Sequence, residues 1–215
     1  MRWWWWGALF GFMVWVGCSL YQGGHAAVIP LSHYREVLLN LSRANVSGLY
    51  IRHDVDSSPG RLYRMLALER ELGVRSTVCI YPVVARRFAR SWLFFDWGAL
   101  RRYAADGWVV SYHLNAYERA GYDAVRGDRL ALRDVAWIER HLGRGVDRFT
   151  PHGGFSMRGL DNCDFAGRFA NLSGLRLDLP SGFDWYFSDT NGAAIWVPRN
   201  VSGSVYLLVH PEWYR

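Results

Sequence analysis

From about residue 29 onward, apolar residues recur at two spacings, one typical of amphipathic helices and the other of buried strands. Residues three or four apart form an apolar face in each predicted helix, and glycine follows several of these segments as a stop signal. The predicted helices cover residues 33–44, 59–72, 92–105, 129–142 and 164–170. Short apolar runs between them predict strands at 48–55, 74–81, 108–113, 146–150, 175–177, 194–197 and 205–210.

The same spacing predicts which helical residues face the core, because an amphipathic helix buries one stripe and exposes the rest. These residues are Tyr34, Val37, Leu38, Leu41, Leu62, Met65, Leu66, Leu72, Leu132, Val135, Ile138 and Leu142. Strands that alternate with helices predict βαβ units and a parallel sheet. We therefore expect one monomeric α/β domain over residues 29–215, built as an open sheet or as a small distorted barrel.

Residues 1–26 differ from the rest of the chain and are left out of the fold prediction. The stretch 3–21 is apolar and uncharged, follows a lone Arg2 and begins with four consecutive tryptophans. Its length fits a signal-peptide core or a short membrane anchor, and the small residues after it suit signal cleavage. A spurious extension from a misassigned start codon is the alternative. We expect a secreted or membrane-anchored protein if the segment is genuine, and a cytoplasmic one otherwise.

Composition excludes disorder and argues against a nucleic-acid partner. Hydrophobic residues make up 51% and charged residues 20% of the 215, as in an ordinary globular domain. The net charge is +6, but every cationic side chain is arginine, and these arginines are scattered over the predicted helices rather than gathered in a basic patch. Cys18, Cys79 and Cys163 are far apart and predict neither a zinc ribbon nor a disulfide framework.

Polar side chains lie at the carboxyl ends of four predicted strands, the edge at which parallel α/β folds place their sites. These residues are Arg52, His53, Asp54, Asp56, His113, Asn115, His152 and His210. Two carboxylates and several imidazoles form the ligand set expected for zinc or a similar divalent ion. The strand ends therefore predict a metal site.

Asp54 and Asp56 are the core of this prediction. Residues two apart on a strand face the same side, so both carboxylates can share one pocket while His53 and Val55 point elsewhere. Carboxylates this close repel each other unless a cation lies between them. A metal on one leaves the other ionised and free to accept a proton from a metal-bound water, and Arg52 can hold this base in its charged form. The structural alternative is an aspartate pair that caps a helix or forms a loop.

Five ordered segments of the chain resemble polysaccharide deacetylase-like proteins, the chitooligosaccharide deacetylase homology domain, and in particular the uncharacterised HDVD branch of that family. The segments are RHDVDSSPGRLYRMLALERELGVRSTVCIY, DGWVVSYHLNAYE, FTPHGGFSMRGLDNCDF, WYFSDTNGAAIW and LLVHPEWY. The resemblance covers residue 32 to the end of the chain. It implies an irregular (β/α) barrel and metal-assisted removal of an N- or O-acyl group, typically acetyl, from a sugar.

Carried over by position, the resemblance implies roles for four residues. Asp54 would be the general base, and His210 would be the acid that protonates the leaving amine or alkoxide. Asp56 and His113 would be metal ligands, with zinc as the expected ion. The metal would polarise the acyl carbonyl and stabilise the tetrahedral oxyanion.

One position departs from the family pattern. The second metal histidine, four residues after the first, is Tyr117 in this chain, and His152 in Pro-His-Gly-Gly is the expected substitute because glycines let the backbone approach the site closely. Polar residues in the matching segments are candidates for substrate contact, and several could equally form loops: Arg52, Asn115, Arg158, Asp161, Asn162 and Asp189. The candidates for stacking on sugar rings are Trp185, Tyr186 and Trp213.

Three other interpretations compete with a deacetylase. A degenerate, non-catalytic member of the same fold would bind a glycan without hydrolysing it. A nucleotide-sugar glycosyltransferase with a DxD motif needs a nucleotide-binding unit before the motif, and the ordered chain that precedes Asp54 is too short for one. A helical HD phosphohydrolase needs His53 and Asp54 on one side, whereas a strand puts them on opposite faces.

Overall fold

A seven-stranded parallel sheet forms the centre of the computed structural model, which describes residues 28–56, 59–82, 96–153, 160–179 and 181–215. The strands are β1 (Asn45–Val55), β2 (Thr77–Ile80), β3 (Val109–Leu114), β4 (Arg148–Pro151), β5 (Arg176–Leu177), β6 (Trp185–Ser188) and β7 (Ser202–Val209). They lie in the order β5-β4-β3-β2-β1-β7-β6, and every neighbouring pair is parallel. The predicted α/β class and parallel sheet are confirmed.

The sheet is curled into a half-barrel with β5 and β6 as its edge strands. Within the described ranges, no strand pairing joins β5 to β6. The longest strand, β1, lies between β2 and β7, so residues from the two ends of the domain meet at the middle of the sheet. The architecture is therefore a curled parallel sheet flanked by helices.

Helices in the described ranges match most of the predicted ones. They are α1 (Leu31–Arg43), α2 (Pro59–Glu71), α3 (Trp97–Ala105), α4 (Ala116–Arg119), α5 (Ala124–Leu142) and α6 (Ala166–Ser173), with short 3₁₀ helices at Asn162–Phe165, Thr190–Gly192 and Pro211–Trp213. No helix among the described residues is long and apolar enough to cross a membrane. The predicted N-terminal segment 1–26, the first four residues of the helix expected at 92–105, and Arg158 lie outside the described residues.

Helix α5 corrects one predicted core residue. It begins at Ala124, where Asp123 caps it by accepting a hydrogen bond from the backbone N–H of Arg126, and it ends at Gly143 in a left-handed conformation with φ 75°. The longer helix buries Ala131 completely, whereas Leu132 is 40% exposed. The expectation that Leu132 faces the core is wrong, because the buried stripe of α5 runs through the neighbouring position.

The strand predicted at 194–197 is also wrong, and β6 takes its place in the sheet. The apolar alternation there has another cause: Ile195 is buried against the core, while Trp196 projects into solvent. His33 binds the carbonyl oxygen of Ile195 through Nε2 at 2.9 Å. The segment is thus fixed by side-chain contacts rather than by strand pairing.

Strand β1 separates the hydrophobic core from the polar face of the sheet. Ile51 and Val55 pack against the apolar faces of the surrounding helices. His53 points to the same side and lies 2.5 Å from the fully buried carboxylate of Glu69 in α2. Arg52 and Asp54 face the opposite side, where they bind each other. The period of two therefore delivers Asp54 to the polar face, as the sequence predicts.

Candidate metal centre

Three predicted ligands meet at the carboxyl ends of β1, β3 and β4. Asp56 directly follows β1, His113 lies in β3, and His152 directly follows β4. The register pairs His113 with Thr150, so His152 comes two residues later on the same side. One ligand atom from each of Asp56, His113 and His152 lies within 4.8 Å of the others, and this cluster could hold a metal ion.

His113 is oriented for ligation by its neighbour Thr150. The Nδ1 atom of His113 lies 2.9 Å from Thr150 Oγ1 and 3.3 Å from the Thr150 carbonyl oxygen, which can only accept a hydrogen bond. Nδ1 therefore carries the proton, and Nε2 presents its lone pair to the site. Nε2 lies 3.5 Å from Asp56 Oδ1. Burial lowers the pKa of His113 to about 3, and a neutral imidazole is the form that binds a metal.

Two buried atoms of the cluster lack hydrogen-bond partners. Such atoms indicate whether a cation would fit between these residues. Neither Asp56 Oδ1 nor His152 Nδ1 has a partner within hydrogen-bond distance, although Glu118 Oε2 lies 3.6 Å from His152 Nδ1. Buried polar atoms are almost always satisfied, so two such atoms in one pocket need a further group. One carboxylate and two imidazoles match a zinc site that keeps its fourth position open. The residues present therefore fit a divalent metal.

Asp54 is held differently from Asp56. Both of its carboxylate oxygens accept hydrogen bonds from the buried guanidinium of Arg52, Oδ1 at 2.7 Å and Oδ2 at 2.5 Å. Arg52 also donates to the Tyr206 hydroxyl at 2.9 Å. Burial opposes ionisation of Asp54, but the charge and the hydrogen bonds of the Arg52 guanidinium hold its pKa well below the usual range. Asp54 is therefore an ionised carboxylate next to the metal cluster.

The pKa of Asp56 is shifted in the opposite direction to that of Asp54. Burial, together with the negative charges of Asp54 and Glu212, raises the pKa of Asp56 to about 7. A bound cation would counter that repulsion and favour the ionised form. The two aspartates, two residues apart on one strand, thus differ because Arg52 neutralises only one of them.

His210 and Asp189 form a second buried pair on the β7 side of the site. His210 Nδ1 lies 2.6 Å from Asp189 Oδ1, and the backbone N–H of His210 donates to the same carboxylate. Burial disfavours the charged imidazole, but the hydrogen bond and charge of Asp189 raise the pKa of His210 to about 9. Because β1 and β7 are neighbours in register, with His53 opposite Val209, His210 emerges beside Asp54.

The other predicted substrate contacts fall into different positions. Asn115 is buried at the site, and its Oδ1 has no hydrogen-bond partner. Asn162 is also buried: its amide donates to the His152 carbonyl at 3.0 Å and accepts from the Glu118 N–H at 3.3 Å. Asp161 caps the following 3₁₀ helix. Asn162 therefore ties the loop of His152 to α4, whereas Asn115 keeps a buried acceptor without a partner.

Among the aromatic candidates, Tyr186 is 51% exposed on β6, whereas Trp185 and Trp213 pack against the core beneath the sheet. The ring of Tyr186 packs at 5.8 Å against Tyr206, the tyrosine that binds Arg52. Tyr186 is therefore the aromatic candidate with both exposure and a link to the site.

Sequence reasoning missed residues that support the cluster. Thr150 precedes His152 by two positions on β4, so the alternation of the strand was a usable signal for it. The ring of Tyr81 is tilted against the rings of His113 and His152, with centroids 5.9 and 4.9 Å away. Glu212 has a buried Oε2 without a partner, and no sequence pattern pointed to it.

Tyr117, at the family's second histidine position, points away from the cluster. Its hydroxyl donates to Asp128 at 2.7 Å, and its ring stacks on Phe165 at 4.4 Å. A Cβ atom on Gly127 would come within 2.2 Å of the ring, so α5 makes room for the tyrosine with a glycine. The tyrosine is thus built into the packing of α4 against α5.

No family model matches the chain, and no curated protein matches it in sequence.

Proposed function

We propose that the protein is a metal-dependent hydrolase that removes an acyl group, preferentially acetyl, from a nitrogen or oxygen of a carbohydrate. One observation carries the proposal: the cluster of Asp56, His113 and His152 is flanked by an ionised carboxylate, Asp54, and by a histidine paired with a buried aspartate, His210. A carboxylate base and an imidazolium acid beside a metal are the parts that acyl transfer to water requires.

The chemistry divides among these groups. A bound divalent metal, with zinc the favoured ion, would supply Lewis-acid polarisation of the acyl carbonyl and lower the pKa of water. The Asp54 carboxylate accepts the proton of the attacking water, since its oxygens have lone pairs beyond those that bind Arg52. The water oxygen bonds to the acyl carbon, and the bond from that carbon to nitrogen or oxygen breaks. Asp189 keeps the imidazole of His210 protonated, and His210 donates this proton to the leaving amine or alkoxide.

The supporting residues have positioning roles in this proposal. Arg52 keeps Asp54 charged and fixes its carboxylate plane, while Thr150 sets the proton of His113. Asn115 offers its free acceptor to substrate. A sugar ring would lie on the exposed face of Tyr186.

The choice of a carbohydrate rests on the resemblance to polysaccharide deacetylase-like proteins. That resemblance also implies an irregular (β/α) barrel. We infer that the curled sheet is such a barrel, left open between β5 and β6, so that a polymeric sugar could lie across the strand ends.

The test measures acetate release from acetylated oligosaccharides by purified full-length protein, first stripped with a chelator and then resupplied with zinc. We expect turnover to be lost on stripping and restored by zinc at about one equivalent per chain. A His152→Ala variant should lose both zinc and turnover. If the protein binds no zinc and added metal restores no turnover, the proposal is overturned and the degenerate, glycan-binding interpretation is favoured.

A further inference from the structure

A cleft of about 430 Å³ lies at the end of the sheet opposite the metal cluster. Helix α1 forms one wall, and the segment 195–199, which leads the chain towards β7, forms the other. The volume is within the range of about 300–1,000 Å³ that small-molecule sites occupy. Arg43 and Arg199 lie just before the amino ends of β1 and β7, whereas the metal cluster lies beyond the carboxyl ends of the strands. The length of β7 alone puts roughly 25 Å between the two ends.

Trp196 gives this cleft a flat apolar surface. It is 81% exposed, the largest exposure of any large hydrophobic residue described. The backbone that carries the indole is anchored, since the neighbouring Ile195 is buried in the core and its carbonyl oxygen binds His33. A large exposed aromatic ring on an anchored backbone can stack on a ligand, and only its two side-chain torsions need to be ordered.

Unpaired polar side chains surround the indole. Glu36, Asn40 and Arg43 follow one another at intervals of four and three residues, so they share one face of α1, and Arg199 lies on the opposite wall. Over the described ranges, none of these four side chains makes a hydrogen bond or an ion pair within the protein. Their donors and acceptors are therefore available to a ligand.

We propose that this cleft binds an anionic saccharide, such as a chain of uronic acid residues. The apolar face of a sugar ring would stack on Trp196, and its hydroxyl groups would bind Asn40 and Glu36. The two guanidinium groups outnumber the one carboxylate of the lining, and each presents the fork of donors that binds a carboxylate through two hydrogen bonds. The choice of a sugar over other ligands with ring faces rests in part on the proposed function.

The same lining argues against nucleic acid as the ligand. Grooves for single strands combine aromatic rings with a continuous track of cations along the phosphates. Here Glu36 shares its helix face with Arg43 and would repel a phosphate, whereas it can accept a hydrogen bond from a sugar hydroxyl.

Calorimetric titration of the full-length protein with tetragalacturonate tests the proposal. We expect saturable binding of tetragalacturonate, weaker binding of the neutral, unacetylated tetrasaccharide cellotetraose, and none of a tetranucleotide. Trp196→Ala and Arg199→Gln should each weaken tetragalacturonate binding about tenfold, and Trp196→Phe should retain most of it. Leu172→Ala, a control at another exposed apolar position, should leave binding unchanged.

Titration needs no turnover, so the cleft and the hydrolase proposal can fail separately. Trp196→Ala should leave zinc content, thermal unfolding and acetate release from a small acetylated sugar unchanged, because the indole is exposed and distant from the cluster. The cleft proposal is overturned if tetragalacturonate does not bind, or if Trp196→Ala binds it as well as the parent protein. Equal binding of the neutral tetrasaccharide, or preference for the tetranucleotide, would also overturn it.

Discussion

The Nδ1 atom of His210 lies 2.6 Å from Oδ1 of Asp189, and the side chain of Asp189 is completely buried. This carboxylate is the main reason why the pKa of His210 rises to about 9 in spite of burial. If His210 is the acid, activity should be present at neutral pH and decline as the pH rises through about 9.

We therefore predict that Asp189→Asn moves the alkaline limb of the kcat/KM profile towards the ordinary histidine pKa of about 6.5, lowering activity at pH 8 roughly 30-fold. Asparagine can still accept a hydrogen bond from the backbone N–H of His210, so the variant should fold. A pH-rate series with both proteins checks this, and an alkaline limb left in place would contradict it.

The same pair predicts a pH dependence of stability. A group whose pKa is raised by folding stabilises the protein fully below its unfolded pKa, about 6.5 for histidine, and the effect is lost as the pH rises through about 9. The difference between the folded and the unfolded pKa of His210 corresponds to roughly 3 kcal/mol of unfolding free energy. Denaturant unfolding between pH 6 and pH 10 should show this decline in the parent protein and a smaller one in Asp189→Asn.

Replacement of each aspartate by asparagine separates base from ligand. Asp54→Asn should lower the rate of acetate release by about 10²–10⁴ and leave zinc bound, because the base is lost while the cluster remains. Asp56→Asn should lose both zinc and turnover. Zinc analysis and initial rates distinguish the two, with unfolding curves to confirm that both variants fold. Turnover retained in either variant would refute the assignment of roles.

Thr150→Val tests the orientation of His113. Valine has the shape of threonine but lacks the hydroxyl 2.9 Å from His113 Nδ1. Loss of such a partner typically weakens metal binding 10–100-fold, and we expect about tenfold here because the Thr150 carbonyl remains within 3.3 Å. Competition with a zinc chelator measures the zinc affinity of the variant and of the parent protein. Ser111→Ala, which removes a hydroxyl bound to the Arg148 carbonyl on the same face, is the control that should leave zinc affinity unchanged.

Tyr117→His places the family's usual histidine in this chain but should not improve zinc binding. The tyrosine lies between Asp128 and Phe165 rather than in the cluster. Its loss should lower the free energy of unfolding by about 1–3 kcal/mol, since a buried hydrogen bond and a stacked ring pair disappear. Chelator competition and denaturant unfolding provide the two measurements. A marked gain in zinc affinity would show that position 117 can reach the site.

The spacing of residues along the strands accounts for the parts of the site that the sequence predicted. Alternation along β1 and the residue that follows it puts Asp54 and Asp56 on the same side, and parallel strands bring His113 and His152 to the same edge. Pattern failed where other contacts replace pairing, as at 194–197, where Ile195 is buried without a strand partner.

By itself, the sequence determined the α/β class, the strand ends that carry the ligands, and most of the core, because each depends on spacings of two to four residues. The tertiary structure alone decided that Asp189 lies under His210 and that Tyr117 points away from the cluster, whereas the pairing of Arg52 with Asp54, two residues along the same strand, was already expected. Asp189 follows β6 and contacts His210, which follows β7. Tyr117 lies in α4 and contacts Asp128 in α5. Such contacts depend on how separate elements pack, which no short-range spacing specifies.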